Sequence, residues 1–540
     1  MTAGSVVSTA DILRFWGKTS RDGSRPAWHP VVFHLLDVAA AADAILAVRR
    51  VALARAARLL GLEPDAARRL LVMLIALHDL GKFGVAFQAK RPDLWPSILG
   101  DPYVPPNTPH TVDGLILWRD VLAQVVSARL WPNGGSVLSA LAPAIFGHHG
   151  RPPVLASIPA SHRLGANGVR VAEACAAALL DLLHPEPLQA TCVCDEAQVR
   201  VASWWVSGLV TVSDWVGSHE EWFPYEIPRE DLPLDVVLRD YWRETRARAD
   251  NAVREAGLIP APVAATRDVR DFTNGRAPTP AQAWASTVAL PPGPVLVVLE
   301  DVTGAGKTEA AQILVHRLMA DGHATGAYWA MPTQATANAM YERQREMLPR
   351  LYAPDAAQVP SLVLTHGQAR LYGRFRSTVM GNAGARARAS APVDADEGDQ
   401  GDVTSVVACA AFLADDRRTS FLADVGAGTI DQAVLGVLPS KFNTVRIFGL
   451  IDKVLVLDEA HAYDAYVSEE MFALLRFHAA LGGSAIILSA TLGRQQREDI
   501  VTAWDEGLTG RSRTVLFGGN RAPRVHSSAY PLATLVASQE

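Results

Sequence analysis

The run Thr303-Gly304-Ala305-Gly306-Lys307-Thr308 constrains this chain more than any other feature, because it lies between an apolar stretch at 295–299 and a helical stretch at 307–320. A glycine-rich loop between a buried strand and a helix N-terminus aims several backbone N–H groups and a helix dipole at one spot, which suits a polyphosphate. The same alternation recurs at 327–331 with 336–347 and at 454–457 with 469–481, and another short apolar run follows at 485–488. Buried strands alternating with amphipathic helices predict a parallel doubly wound sheet. Thr303, Gly304, Ala305 and Gly306 are expected to line the phosphates, Lys307 to reach the terminal one, and the Thr308 hydroxyl to bind magnesium. Asp301 stands where the strict pattern has its first glycine.

Asp458-Glu459-Ala460-His461 closes the strand at 454–457. Asp458 is placed to hold magnesium and Glu459 to polarise an attacking water, so Glu459 is a candidate catalytic residue. Ser489-Ala490-Thr491 closes the next strand, and Gln282 in Pro280-Ala281-Gln282 reads as an adenine-recognising glutamine. ATP with magnesium is the expected ligand pair, and a nucleotide-driven motor the expected class.

Residues up to about 250 read differently. They are mostly helical, with Ala/Leu-rich stretches at 35–60, 66–77, 112–130 and 169–183 and Pro/Gly loops such as 102–109. His78-Asp79 lies inside Ala-Leu-His-Asp-Leu-Gly-Lys, residues 76–82. A His-Asp dipeptide alone says little, and a single buried histidine is more often a hydrogen-bonded core residue. His34, His110, His148, His149 and Asp214 also sit in hydrophobic surroundings, where an unpaired polar group is costly. Convergence on divalent metal explains them together, with imidazoles and carboxylates drawn from different elements and a carboxylate able to bridge two ions. Lys82, shortly after Asp79, reads either as a positive charge toward a phosphate or as a solvated helix-end lysine.

The chain has 540 residues, 49% of them hydrophobic, enough for several domains with ordinary cores. A net charge of −6 announces no polyanion partner, so a nucleic-acid surface would have to be a local groove. Cys175, Cys192, Cys194 and Cys409 form no C-x-x-C pair and read as packed or bystander thiols. The N-terminus lacks the pattern of a secretory signal, and charges or histidines interrupt every apolar run approaching the ~18 to 20 residues of a bilayer span. A cytoplasmic protein with no membrane association is expected. The expected organisation is an all-α metal-hydrolase domain at 1–257, a Pro/Ala/Asp linker at 258–280, an α/β domain at 281–510 with a mobile insertion near 376–402, and a tail at 511–540.

A metal phosphoester hydrolase beside a nucleotide-driven motor suggests an enzyme feeding a polymer into a cutting site. Together the two motif series resemble the CRISPR-associated helicase–nucleases of type I interference systems. The stretch at 424–433, Asp-Val-Gly-Ala-Gly-Thr-Ile-Asp-Gln-Ala, narrows the resemblance further. It implies an HD-type nuclease domain followed by a RecA-like domain of a D-E-A-H-box superfamily 2 helicase, with the second RecA-like domain and the C-terminal domain apparently lacking. It implies one metal ion on His34, His78, Asp79 and Asp214 and a second on Asp79, His110, His148 and His149; such mixed His/Asp ligation suits the transition metals manganese, iron, cobalt or nickel better than magnesium alone. Residues 332–336 and 364–367 match positions that contact the nucleic-acid backbone. The implied partners are displaced single-stranded DNA and an RNA-guided surveillance complex. Two rival readings are an HD phosphohydrolase acting on nucleotides under ATPase control, and a non-translocating scaffold recruited to the surveillance complex.

Overall fold

The computed structural model describes residues 7–19, 28–102, 108–155, 157–183, 186–189, 195–265, 267–353, 359–367, 419–509 and 531–537. The expected insertion at 376–402 lies outside them, as do Cys192, Cys194 and Cys409. The chain divides into two compact units, Met1–Glu255 and Ala256–Glu540.

Among its described residues the first unit is helical apart from a two-stranded antiparallel ribbon, β1 (Trp16–Thr19) and β2 (Trp28–Pro30). Its centre is α1 (Val31–Val48), flanked by α2 (Pro64–Ile75), α5 (Glu196–Gly217) and α6 (Leu234–Glu255). Two further helices, α3 (His110–Leu117) and α4 (Gly135–Phe146), complete the surroundings of the polar cluster. The expectation that no apolar run reaches membrane length is corrected by α1, which has 18 residues and a mean hydropathy of 2.0. A helix this apolar is stable in water only when mostly buried, and 83% of this one is buried inside the unit. Its polar residues have defined partners: Asp37 accepts from Tyr241 Oη at 2.9 Å and from Thr245 Oγ1, and lies 2.9 Å from His29 Nε2. His34 faces the polar cluster described below.

The second unit carries a seven-stranded sheet in the order β5-β6-β4-β7-β8-β3-β9. The strands are β3 (Val295–Glu300), β4 (Gly326–Met331), β5 (Leu362–Thr365), β6 (Val425–Thr429), β7 (Lys453–Leu457), β8 (Ser484–Ser489) and β9 (Leu532–Ala537). Six run parallel, and separate apolar clusters pack the two faces. Helices α7 (Pro280–Thr287), α8 (Lys307–Ala320), α9 (Gln334–Leu351), α10 (Ala465–Ala480) and α11 (Arg494–Thr509) accompany the strands. The α/β class and parallel sheet read from the sequence are what this unit has.

Two boundary readings change. The segment at 258–280 is no free linker: Ala261 and Phe272 join the core on one face of the sheet, Ala261 N donates to Asp424 Oδ1 at 3.1 Å, and Val263 bridges Tyr352. Small alanines give a linker-like composition but also permit close packing. The expected tail supplies β9, antiparallel to β3 with Val295 opposite Ala537 and Glu300 opposite Leu532. It covers what would otherwise be an unpaired strand edge.

Candidate metal centre and nucleotide-binding loop

His78 and Asp79 occupy the turn that follows α2 and leads into a short 3-10 helix, Leu80–Phe83. His78 Nδ1 lies 2.8 Å from Ile75 O, and His148, just past the end of α4, places its Nδ1 3.4 Å from Ile145 O. A carbonyl only accepts, so in both rings Nδ1 carries a proton and Nε2 is the nitrogen turned toward the cluster, the one a metal could take. Both Nε2 atoms are buried without a hydrogen-bond partner, as is Asp79 Oδ1. An imidazole fixed by a carbonyl at one nitrogen and bare at the other is the usual setting of a metal-ligating histidine.

The other residues close around Asp79. His34 Nε2 lies 3.1 Å from Asp79 Oδ2 and 3.5 Å from Asp214 Oδ1, and His78 Nε2 lies 3.4 and 3.8 Å from the same two atoms. On the opposite oxygen, His110 Nε2 and His148 Nε2 lie 3.2 and 3.3 Å from Asp79 Oδ1, and His149 Nε2 is 3.0 Å from His110 Nε2. The seven residues thus sort into His34, His78 and Asp214 on one side and His110, His148 and His149 on the other, with one Asp79 oxygen toward each.

Two close backbone approaches make this possible. A Cβ on Gly81 would fall 1.9 Å from His110 O, so only glycine lets the start of α3 lie on the His-Asp turn. A Cβ on Gly217 would fall 2.8 Å from Val38 Cα, so α5 closes on α1 and brings Asp214 beside His34. The glycine of His-Asp-Leu-Gly-Lys is therefore a packing requirement.

The electrostatics follow from burying many titratable groups together. Burial opposes ionisation of Asp79, yet the Lys82 ammonium and then His78 outweigh it and hold the carboxyl well below its usual range. Burial likewise opposes charge on His78, but the Asp79 and Asp214 carboxylates raise it to about 9. His34 is pushed well below the imidazole range by burial and then by Lys82 and Lys18. Burial and the neighbouring His148 and His110 push His149 down to about 2. Burial is opposed at Asp214 chiefly by Lys18, and the net shift is downward. Lys82 is not solvated: it is 4% exposed, with Nζ 2.6 Å from Asp79 Oδ2 and donating to Gly17 O at 3.3 Å. Lys18 is the charged neighbour that the sequence did not reveal, since nothing in Trp-Gly-Lys-Thr signals that β1 lies beside a turn about sixty residues on.

In the second unit, Thr303 and Gly304 are exposed in the loop after β3, and Lys307 begins α8 with Thr308 next. Lys307 Nζ donates to Asp301 O at 2.7 Å and Val302 O at 3.1 Å, so the side chain curls over its own loop. Ala305 N and Gly306 O bond to Val302 O at 3.2 Å and to Gln282 Nε2 at 3.3 Å, respectively. The Gln282 carbonyl meanwhile accepts from Thr279 N, a capping box at the start of α7. Asp301 Oδ1 accepts the N–H of Val302 at 2.8 Å. Asp458 directly follows β7, its carboxyl raised mainly by burial, and Glu459 sits at a positive φ of 52°. His461 Nδ1 is 3.3 Å from Glu459 Oε2 and 3.0 Å from Ser489 Oγ, which joins the D-E-A-H and S-A-T segments. Because β3, β8 and β7 are neighbours, the three motif loops emerge side by side at the C-terminal ends of parallel strands, where such sheets bind ligands.

Residues 16–223 match the family model described as "Cas3, HD domain". The CRISPR-associated endonuclease/helicase Cas3 of Escherichia coli is 29% identical over 96% of this chain and 57% of its own length. The protein of that name from Thermus thermophilus is 34% identical over 91% of this chain and 51% of its own. A crystal structure of T. fusca Cas3 with ATP superposes with a TM-score of 0.78 at 27% identity, over 97% of this chain and 55% of that one. The chain spans about half the length of these relatives. It is related along nearly all its length to the Cas3 helicase–nucleases, and residues 16–223 form a Cas3-type HD domain.

Proposed function

We propose that this chain is a metal-dependent nuclease for single-stranded DNA joined to an ATP-driven helicase motor, and that it degrades DNA displaced by a CRISPR RNA-guided surveillance complex. The observation that carries the reading is the pair of buried, bare Nε2 atoms on His78 and His148, each fixed by a backbone carbonyl and aimed at opposite oxygens of Asp79. Five imidazoles and two carboxylates suit manganese, iron, cobalt or nickel better than magnesium. His34, His78 and Asp214 would hold one ion, His110, His148 and His149 a second, and Asp79 would bridge. When bound, the ions would supply Lewis-acid activation of water and charge neutralisation at the scissile phosphate.

The protein's own groups divide the remaining work. His78 and His148 turn Nε2 inward because their Nδ1 protons are donated to carbonyls, and a bound ion would displace any proton from that inward nitrogen. Lys82 anchors Asp79 to the β1 backbone through Gly17. In the second unit Lys307 and the N–H groups of residues 303–306 would take the ATP phosphates, Thr308 and Asp458 would hold magnesium, Gln282 would read the base on exchanging its present partners, and Glu459 would orient the hydrolytic water. Action on invading DNA puts the protein in the cytoplasm.

The test is cleavage of circular single-stranded DNA in manganese-replete buffer without ATP. Asp79→Ala should abolish cutting and leave ATP binding intact, whereas Lys307→Ala should lose ATP binding and still cut. Undiminished cutting by the Asp79 variant overturns the site assignment. Release of phosphate from free nucleotides, with DNA left intact, would instead identify a nucleotide phosphohydrolase.

A further inference from the structure

β1 is stapled to the His-Asp turn. Gly17 O accepts from Lys82 Nζ at 3.3 Å, and the Gln88 amide nitrogen donates both to Trp16 O at 3.0 Å and to Lys82 O at 2.7 Å. The same strand lies against the start of α1: Val31 N donates to Phe15 O at 2.8 Å, and a Cβ on Gly17 would fall 2.9 Å from Val31 Cα. Lys18, the next residue, is therefore held beside the turn bearing Asp79 and the first turn of α1 bearing His34. It is half-buried and makes no side-chain hydrogen bond or ion pair among the described residues. Its charge is felt at His34, at Lys82 and, more than any other charge, at Asp214.

A half-buried ammonium is ordinarily paired. The nearby carboxylates are engaged: Asp79 has Lys82 and four imidazoles around it, and Asp214 accepts from Ser218 Oγ at 2.9 Å and faces His34 and His78. Asp214 is the carboxylate that the Lys18 charge reaches most strongly, yet no described carboxylate oxygen lies at ion-pair distance from the ammonium, which leaves its direct contacts for an anion from outside. A point charge on a flexible stem fits a phosphate oxygen and carries no base preference.

We propose that Lys18 grips the polynucleotide backbone at the N-terminal site, its ammonium taking a non-bridging phosphate oxygen of the strand being cut on the His34–Asp214 side of the cluster. This rests on reading that site as a phosphodiester hydrolase. Lys82, committed to Asp79, does not share the task.

The experiment compares wild type, Lys18→Met and Lys18→Arg in the 540-residue chain with manganese. Its substrates are a labelled single-stranded oligothymidylate and bis(p-nitrophenyl) phosphate, the latter a simple diester without a polynucleotide chain. Lys18→Met should bind manganese as wild type does in calorimetry and keep kcat within about twofold. Its KM should rise about 10-fold for the oligothymidylate and in the same direction for the small diester. The slope of log KM against log salt should shrink by about 0.7, the share of one phosphate contact on a single strand. Lys18→Arg should retain that slope. Unchanged KM and slope in Lys18→Met would overturn the proposal, and so would loss of manganese binding, which marks a role in shaping the cluster. Wild type that binds manganese yet cuts neither substrate would overturn the nuclease reading itself, and Lys18 with it.

Discussion

Gly81→Ala gives the sharpest test of how the cluster is assembled. The added Cβ would lie 1.9 Å from His110 O and 2.6 Å from Gly114 N, both backbone atoms that cannot swing aside. Even a tight 3.0 Å contact requires the His-Asp turn and the start of α3 to part by about 1.1 Å (3.0 less 1.9). His110 begins α3 and its Nε2 is 3.2 Å from Asp79 Oδ1, so the displacement pulls one imidazole from the set. Metal–ligand distances tolerate only about 0.2 Å. A misplacement near 1 Å costs on the order of 10²-fold in rate. Overpacking adds about 1–3 kcal/mol of destabilisation, or a Tm fall of roughly 2–12 °C for a unit of this size. Manganese calorimetry should show the ion on the His110 side lost or greatly weakened and the His34 side retained, with DNA cleavage down about 100-fold. Gly135→Ala, whose Cβ would meet nothing closer than 3.7 Å, is the matched control and should be near neutral. Full manganese stoichiometry with cleavage within about threefold of wild type in Gly81→Ala would refute the claim that this contact sets the geometry.

Manganese should raise the Tm of wild type, by about 2.7 kcal/mol of linkage at a hundredfold excess over Kd, and should not do so in Asp79→Ala; differential scanning fluorimetry checks both. His148→Ala and His149→Ala should each weaken the same ion and regain part of their cutting at high manganese, and equal loss without rescue in a metal titration would mark the pair as structural. Asp37→Ala strands the Tyr241 and Thr245 hydroxyls and His29, so chemical denaturation should show a loss of about 2–5 kcal/mol at a position outside the proposed ligand set, one helical turn from His34. A fluorescent ATP analogue should bind wild type and not Lys307→Ala, and equal binding by both would move the nucleotide off this loop.

Much of this protein was legible one residue at a time, and the reason is that its motifs are local. A phosphate loop needs strand, glycines and helix start within a dozen residues, so Thr303–Thr308 announced an α/β unit. The seven polar residues of the first unit could be gathered as a set because each is conspicuous in apolar surroundings, although nothing local says which nitrogen faces inward. That is decided by α-helix ends that put Ile75 O and Ile145 O on the two Nδ1 atoms. Long-range packing decided the rest: Lys82 buried on Asp79, Lys18 brought in from β1, residues 258–280 folded against the sheet, and Leu532–Ala537 added antiparallel to a strand that begins at Val295. Composition made the 258–280 segment resemble a linker because residue type records how a side chain likes to be surrounded. What surrounds it is settled only when distant backbones come close enough that Gly81 and Gly217 have no room for a Cβ.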